Sequence, residues 1–153
     1  MIKKAAIIDL DCHKGDGTAQ ITHGDESIKT FSIHMKNGWP LDDPSNKLSF
    51  TPSDVDVPIE NFDDYNKKLK EALDKFSLDG VDLVLVVHGV DVWEMDALES
   101  SNKIKLNKKE ILERDLYVYN FIKNSKLPQA WCLGGGYGKG VSDLYIQFLN
   151  SIG

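Results

Sequence analysis

Asp9, Asp11 and His13 stand at alternate positions of "AAIIDLDCHKGDG", residues 5–17. Carboxylate oxygens and imidazole nitrogens bind protons and divalent metals. At a spacing of two in an extended chain, all three point to one side and Leu10 and Cys12 to the other. A fourth candidate lies far along the chain in "HGVD", His88 to Asp91. Asp11, His13 and Asp91 together give two carboxylates and one imidazole. Three protein ligands with an open position are the pattern of a catalytic zinc site rather than a structural one. Such a set accepts several divalent ions, so the sequence does not separate zinc (Zn2+) from iron(II). The competing reading is that Asp-x-Asp-x-His at a strand end caps neighbouring helices and loops.

A third stretch, Gly134-Gly135-Gly136-Tyr137, lets the backbone come close to something and aims a phenol. Its rival reading is a glycine turn with Tyr137 packed on the core. It is not a phosphate loop, because Lys139 lacks the required spacing from the glycines.

The elements that must position these residues are legible as short apolar runs. Ala5–Leu10, Thr30–Ile33, Leu83–Val87 and Ala130–Leu133 read as strands. Runs without alternation suit parallel strands covered on both faces. "DVDVPI", Asp54 to Ile59, reads as a short edge strand, since proline is confined to edges. Asp63 to Phe76 carries apolar residues on one helical face. Asn107 is a plausible N-cap with Glu110 as its capping-box partner, opening a helix to about Asn124. Val141 to Ile152 gives a final amphipathic helix, and Lys36 to Ser53 a long loop of the kind that is often functional. The pattern predicts an α/β domain in three layers: a mainly parallel sheet of about four central strands with helices on both faces. Ligands bind beyond the carboxyl ends of such strands, and the runs end in Asp-Leu-Asp-Cys-His, His34, His-Gly-Val-Asp and Gly-Gly-Gly-Tyr.

The 153 residues predict a single domain, 1–153. Hydrophobic residues make up 41% and charged residues 27%, the balance of a soluble globular protein. The net charge of −6 argues against nucleic-acid binding, which depends on Lys and Arg neutralising phosphates. No apolar run approaches the ~20 residues that span a bilayer. Nothing resembles a signal peptide, and Cys12 and Cys132 read as reduced core residues, so the expected setting is cytoplasmic.

In order along the chain, "IIDLDCHKGDGTAQI", "FSIHMKNGWP", "SDVDVPI", "VDLVLVVHGVDVWEMDAL", "ERD" at Glu113 to Asp115 and "LGGGYGKGV" resemble the motifs of the histone deacetylase and acetoin-utilisation protein superfamily. The chain is most similar to its bacterial branch resembling class IV deacetylases, and to the C-terminal half of that domain. The resemblance implies the arginase/deacetylase-like fold, a doubly wound parallel sheet in which the four runs would lie in the order first, fourth, third, second. It implies a divalent metal, zinc in the first place, on Asp11, His13 and Asp91. Tyr137 matches the tyrosine that hydrogen-bonds the substrate carbonyl, with Gly135 and Gly136 beside the substrate. Asp9 and Asp16 match carboxylates that orient two catalytic histidines. Asp9, Asp11, His13, Ser32 and Ile33 match a monovalent-cation site, usually potassium (K+).

The chain departs from the family in one respect. The family's tandem histidine pair, its acid and base, belongs to the N-terminal half and has no counterpart among His13, His23, His34 and His88. His23 reads as solvated, and His34 and His88 as structural. Without that half, the Ala5–Leu10 strand is expected at an apolar sheet edge that pairs with another copy or with a separately encoded N-terminal half. Three functions stay open. One is a zinc-dependent deacetylase half acting with a partner on a small acetylated amine or acetyl-lysine. Another is an inactive metal-binding remnant with a binding or regulatory role. The last is an autonomous hydrolase using His34 or His88 as base.

Overall fold

The computed structural model describes residues 1–60 and 64–153, with the side chains of Leu48 and Ser49 excepted. In chain order the elements are β1 (Ala5–Asp9), α1 (Asp16–Thr22), β2 (Ile28–Met35), β3 (Val55–Ile59), α2 (Tyr65–Leu73), β4 (Leu83–His88), α3 (Lys108–Asn124), β5 (Gln129–Leu133) and α4 (Val141–Ile152). Single 3-10 turns occupy Lys47–Phe50 and Glu99–Ser101. The sheet is parallel throughout, in the order β3-β2-β1-β4-β5.

That order corrects the expected one. β1 is central: Ala5–Asp9 pair with Ile28–Ser32 on one side and with Leu83–Val87 on the other. The short β1-α1-β2 crossover puts sequential strands side by side, and the return of the chain past β1 to β4 gives β1 its second neighbour. The edges are β3, with Pro58 in it as read from the sequence, and β5.

Right-handed crossovers also decide which face each helix covers. From β1 the chain moves one way to β2 and β3, then returns past β1 to β4 and β5. Moves in opposite directions place their helices on opposite faces. So α2, α3 and α4 share one face, where α3 packs on both α2 and α4. There Ala6, Ile8, Phe31, Ile33, Val84 and Val86 are buried. The other face carries α1, packed on β2 and on the 47–50 turn, and it buries Thr30, Ser32 and His34. Nothing among the described residues continues that layer over β4 and β5. Leu85 is 37% exposed there, and Ala130 and Cys132 are also exposed. Covering of these runs on both faces is therefore met at β2 but not at β5, and Cys132 is not a core residue.

The helix ends follow local chemistry. Asn107 accepts from the N–H groups of Lys109 and Glu110 while Glu110 reaches back to the N–H of Asn107, the full capping box of α3. Asp64 caps α2 by accepting from Lys67 N–H. The sequence start at Asp63 lies outside the described residues, and α2 stops at Leu73, short of Phe76.

Candidate metal centre

The strand order reverses between β1 and β4, and ligands bind at such a switch point beyond the strand ends. Both chains there leave their strands through polar segments. β1 ends at Asp9, the last ladder bond being Leu10 N–H to the Val87 carbonyl (3.0 Å), and residues 11–13 bend. β4 ends at His88 and turns through Gly89 to Asp91. Gly89 has to be glycine, because a Cβ would lie 2.9 Å from both the Cβ and the N of Asp11.

Asp11, His13 and Asp91 converge. His13 Nδ1 lies 3.0 Å from Asp11 Oδ1 and 3.2 Å from Asp91 Oδ2. Each carboxylate is oriented through its other oxygen: Asp11 Oδ2 accepts from Gly135 N–H (2.8 Å), and Asp91 Oδ1 accepts from Cys12 N–H (2.9 Å). The far nitrogen of His13, Nε2, lies 3.0 Å from Ser100 Oγ. An orienting partner on the second ring nitrogen is a regular feature of metal-ligating histidines. Cys12 departs from its sequence reading. Its Sγ faces the same cluster, 2.9 Å from Asp91 Oδ2 and 3.2 Å from His13 Nδ1, because alternation ends with the strand.

The charges are unbalanced in a way a cation would correct. Burial pushes Asp9 up to about 7, against the Asp11 N–H bond to its Oδ1. Burial and the charge of Asp11 likewise raise Asp91. Burial opposes charge on Asp11 too, but hydrogen bonds from His13, both ring and backbone, hold it below the usual range. Burial alone would push His13 down, yet Asp11 and Asp91 overcome it and hold the imidazole at about 9. Buried Asp9 and Asp91 and half-buried Asp11 thus gather around a single imidazole. The adjacent lysine does not help, since Lys14 Nζ pairs with Asp56 (2.7 Å). Convergent oxygen, nitrogen and sulfur donors with a cation's worth of charge missing fit a borderline divalent metal such as zinc.

The remaining predicted residues divide. Gly135 holds a ligand carboxylate: a Cβ there would overlap Asp11 Oδ2 and stand 2.5 Å from Asp91 Oδ2. Gly136 has φ of 155°, and a Cβ would meet Val90 Cγ2 at 2.7 Å. Tyr137 is not packed on the core; it is 45% exposed at the rim. Its backbone is pinned by Asp96, whose Oδ2 accepts from Tyr137 N–H (2.7 Å). Burial and the charges of Asp11 and Asp91 raise the Tyr137 phenol. Asp16 stands apart, at the start of α1, accepting from Asn46 Nδ2 (2.8 Å). Ser32 Oγ is engaged by Gly15 N–H (3.3 Å) and by the His34 ring (3.0 Å), beside buried Asp9.

Neither spare histidine joins the cluster. His34 is buried, and burial with the charge of Lys14 pushes it down to about 4. His88 points to the opposite face, where Nε2 lies 2.8 Å from Asp115 Oδ2 and the rings of Trp131, Tyr145 and Phe148 surround it. Arg114 pairs with Asp115 (2.8 Å) and donates to the Leu10 carbonyl (3.2 Å), so the Glu-Arg-Asp segment clamps the end of the metal strand. His23 is exposed, as read from the sequence. Ser100 and Asp96 were not picked out from sequence, because a serine or an acid in a loop carries no periodic signal, and "ERD" was read as a motif without its clamping role.

The histone deacetylase domain family matches residues 1–151. An uncharacterised protein from Picosynechococcus is 33% identical over 150 residues, which are 96% of this chain and 47% of that one. Histone deacetylase 2 of Arabidopsis thaliana is 29% identical over 90% of this chain and 35% of its own. Among solved structures, acetylpolyamine aminohydrolase from Burkholderia pseudomallei superposes with a TM-score of 0.76 at 18% identity, covering 99% of this chain and 45% of that one. The chain spans less than half the length of each. With the family matched from end to end and its fold reproduced, the chain belongs to the histone deacetylase domain family.

Proposed function

We propose that this chain is the metal-holding half of a zinc-dependent deacetylase-like amide hydrolase. The observation that carries this is the convergence of Asp11, His13 and Asp91 at the switch point, with Gly135, two residues before the exposed Tyr137, bonded to Asp11. When bound, the metal supplies Lewis-acid polarisation of an acyl oxygen and a more acidic water. The chain's own residues hold and orient. Gly135 N–H and Cys12 N–H fix the two carboxylates, Ser100 fixes the imidazole, and Tyr137 offers a hydroxyl toward a developing oxyanion. The substrate class is an N-acetylated amine, either a small polyamine-like molecule or an acetyl-lysine. The setting is cytoplasmic, in keeping with two unpaired cysteines. Asp9, Asp11, His13, Ser32 and Ile33 are proposed to hold a potassium ion beside the divalent site.

Among the described residues no second histidine stands at the cluster as a general base. His34 and His88 are both engaged away from the cluster, which disfavours an autonomous hydrolase. Loss of general acid–base help costs about 10²- to 10⁴-fold. The base is therefore proposed to come from a partner, either the N-terminal half of a deacetylase domain or another copy. The place of docking moves from a β1 edge, which does not exist, to the face of β4 and β5 left bare around Leu85, Ala130 and Cys132. A buried thiol among the ligands favours a second reading, a metal-holding chain without turnover. Titrating zinc into the metal-free chain by calorimetry tests the metal; one equivalent is expected, and none with Asp11→Ala. Adding the N-terminal half of a related deacetylase then tests activity on an acetylated amine. Zinc binding without activity in any combination would leave the second reading standing.

A further inference from the structure

We propose that Cys12 is a fourth ligand of this metal site, making it a closed set of one sulfur, one nitrogen and two oxygens. The inference rests on the reading that Asp11, His13 and Asp91 hold a divalent metal.

Asp11, Cys12, His13 and Asp91 each present one donor atom, and the four atoms all lie within 4.8 Å of one another. Four of the separations are short: 3.0 Å from Asp11 Oδ1 to His13 Nδ1, 3.2 Å from His13 Nδ1 to Asp91 Oδ2, 3.2 Å from Cys12 Sγ to His13 Nδ1 and 2.9 Å from Cys12 Sγ to Asp91 Oδ2. Ligand bonds of 2.0–2.3 Å require edges of about 3.3–3.6 Å. All four separations lie below that range, so the donors already crowd together where an ion would have to push them apart.

The thiol is also placed as a ligand is. Cys12 is 0% exposed and belongs to the core cluster, and its sulfur also touches two polar groups, Asp91 Oδ2 and His13 Nδ1. Its backbone is fixed at both ends, the N–H to Asp91 Oδ1 (2.9 Å) and the carbonyl accepting from Met35 N–H (2.8 Å). The S–H now donates to Asp91 Oδ2. On binding, the divalent ion replaces that proton between sulfur and oxygen, the proton passes to solvent, and no electrons are exchanged. The second cysteine, Cys132, is exposed on β5 and lies outside the cluster.

The consequence concerns reactivity. Closed four-ligand sites hold metal, whereas catalytic ones keep an open position for water or substrate. With Cys12 bound, the site stores its ion in a latent form, and an acyl group gains access only when the sulfur leaves.

Cobalt(II) tests this directly, because thiolate coordination gives a sulfur-to-cobalt charge-transfer band in the near ultraviolet that oxygen and nitrogen ligands do not. Metal-free wild type, Cys12→Ser and Cys132→Ser are each titrated with cobalt(II). The expected result is one equivalent bound, with the band present in wild type and Cys132→Ser and absent from Cys12→Ser. Zinc affinity should fall at least about 10-fold in Cys12→Ser, the floor set by losses of mere outer-shell partners. One equivalent bound by wild type with no band overturns the sulfur ligand and leaves the three-ligand metal site intact. A band that survives Cys12→Ser and vanishes in Cys132→Ser also overturns it. No specific binding by wild type overturns the metal reading itself.

Discussion

Two buried histidines of this molecule each face a carboxylate, and they do opposite things. His88 meets Asp115 on the helical face of the sheet, with Arg114 on the other oxygen and three aromatic rings around it. His13 meets Asp11 and Asp91 at the strand rim, with Asp9 behind them and no arginine or lysine among its polar partners. The first set carries its own counter-charge, and is structural. The second set has more acid than base, and on the proposed reading a cation would complete it. The difference teaches that a histidine–carboxylate pair is assigned by the charge around it rather than by its own geometry.

The largest expected effect tests the structural member. Asp115→Ala leaves Arg114 buried and unpaired, and should cost about 3–5 kcal/mol in urea unfolding. The matching change at the rim, Asp11→Ala in metal-free protein, should cost only about 1 kcal/mol, since it removes hydrogen bonds but also relieves crowding among acids. Its effect belongs to metal, with the one-equivalent zinc isotherm lost in calorimetry. If the two variants were equally destabilised without metal, the contrast would collapse.

Smaller changes sharpen the rim. Ser100→Ala removes the partner of His13 Nε2 and should weaken zinc about 10- to 100-fold by chelator competition, with the melting temperature of the metal-free chain unchanged. Gly135→Ala should weaken it by a similar or larger factor, because its Cβ would meet both ligand carboxylates.

The smallest effect concerns a third buried histidine, His34. Burial and Lys14 hold its pKa down at about 4, against ~6.5 unfolded. A depressed folded pKa means the unfolded chain binds the proton first. The stability attached to neutral His34 is therefore present above about 6.5 and lost as pH falls towards 4. Urea midpoints of wild type and His34→Gln should converge over that interval. A constant gap would mean that His34 does not titrate with folding.

Much of the molecule was legible because local rules and global packing agree there. The capping box of α3 is written in Asn107 and Glu110, and α4 in its apolar stripe. Asp11, His13 and Asp91 were found because spacing and strand ends speak to the same rim. Three things were not legible. The position of β1 between β2 and β4 depends on crossover direction, which no residue encodes. The orientation of Cys12 depends on where the ladder stops, and alternation holds only inside a ladder. Ser100 and Asp96 act through a loop whose path is set by Trp93 and Leu106 bridging across it. The expectation of an apolar β1 edge failed for the first of these reasons.

Cys12 and Asp91 lie 79 positions apart in sequence. An ion that gripped both ends of that span only in the folded chain would stabilise it by mass action, through its affinity for the folded state alone. Neither end can be gripped before β1 and β4 have paired, so the ion cannot nucleate folding. On the proposed metal reading it would arrive after that non-local pairing and would then slow unfolding. In this chain the metal would serve as a fastener whether or not it ever serves as a catalyst.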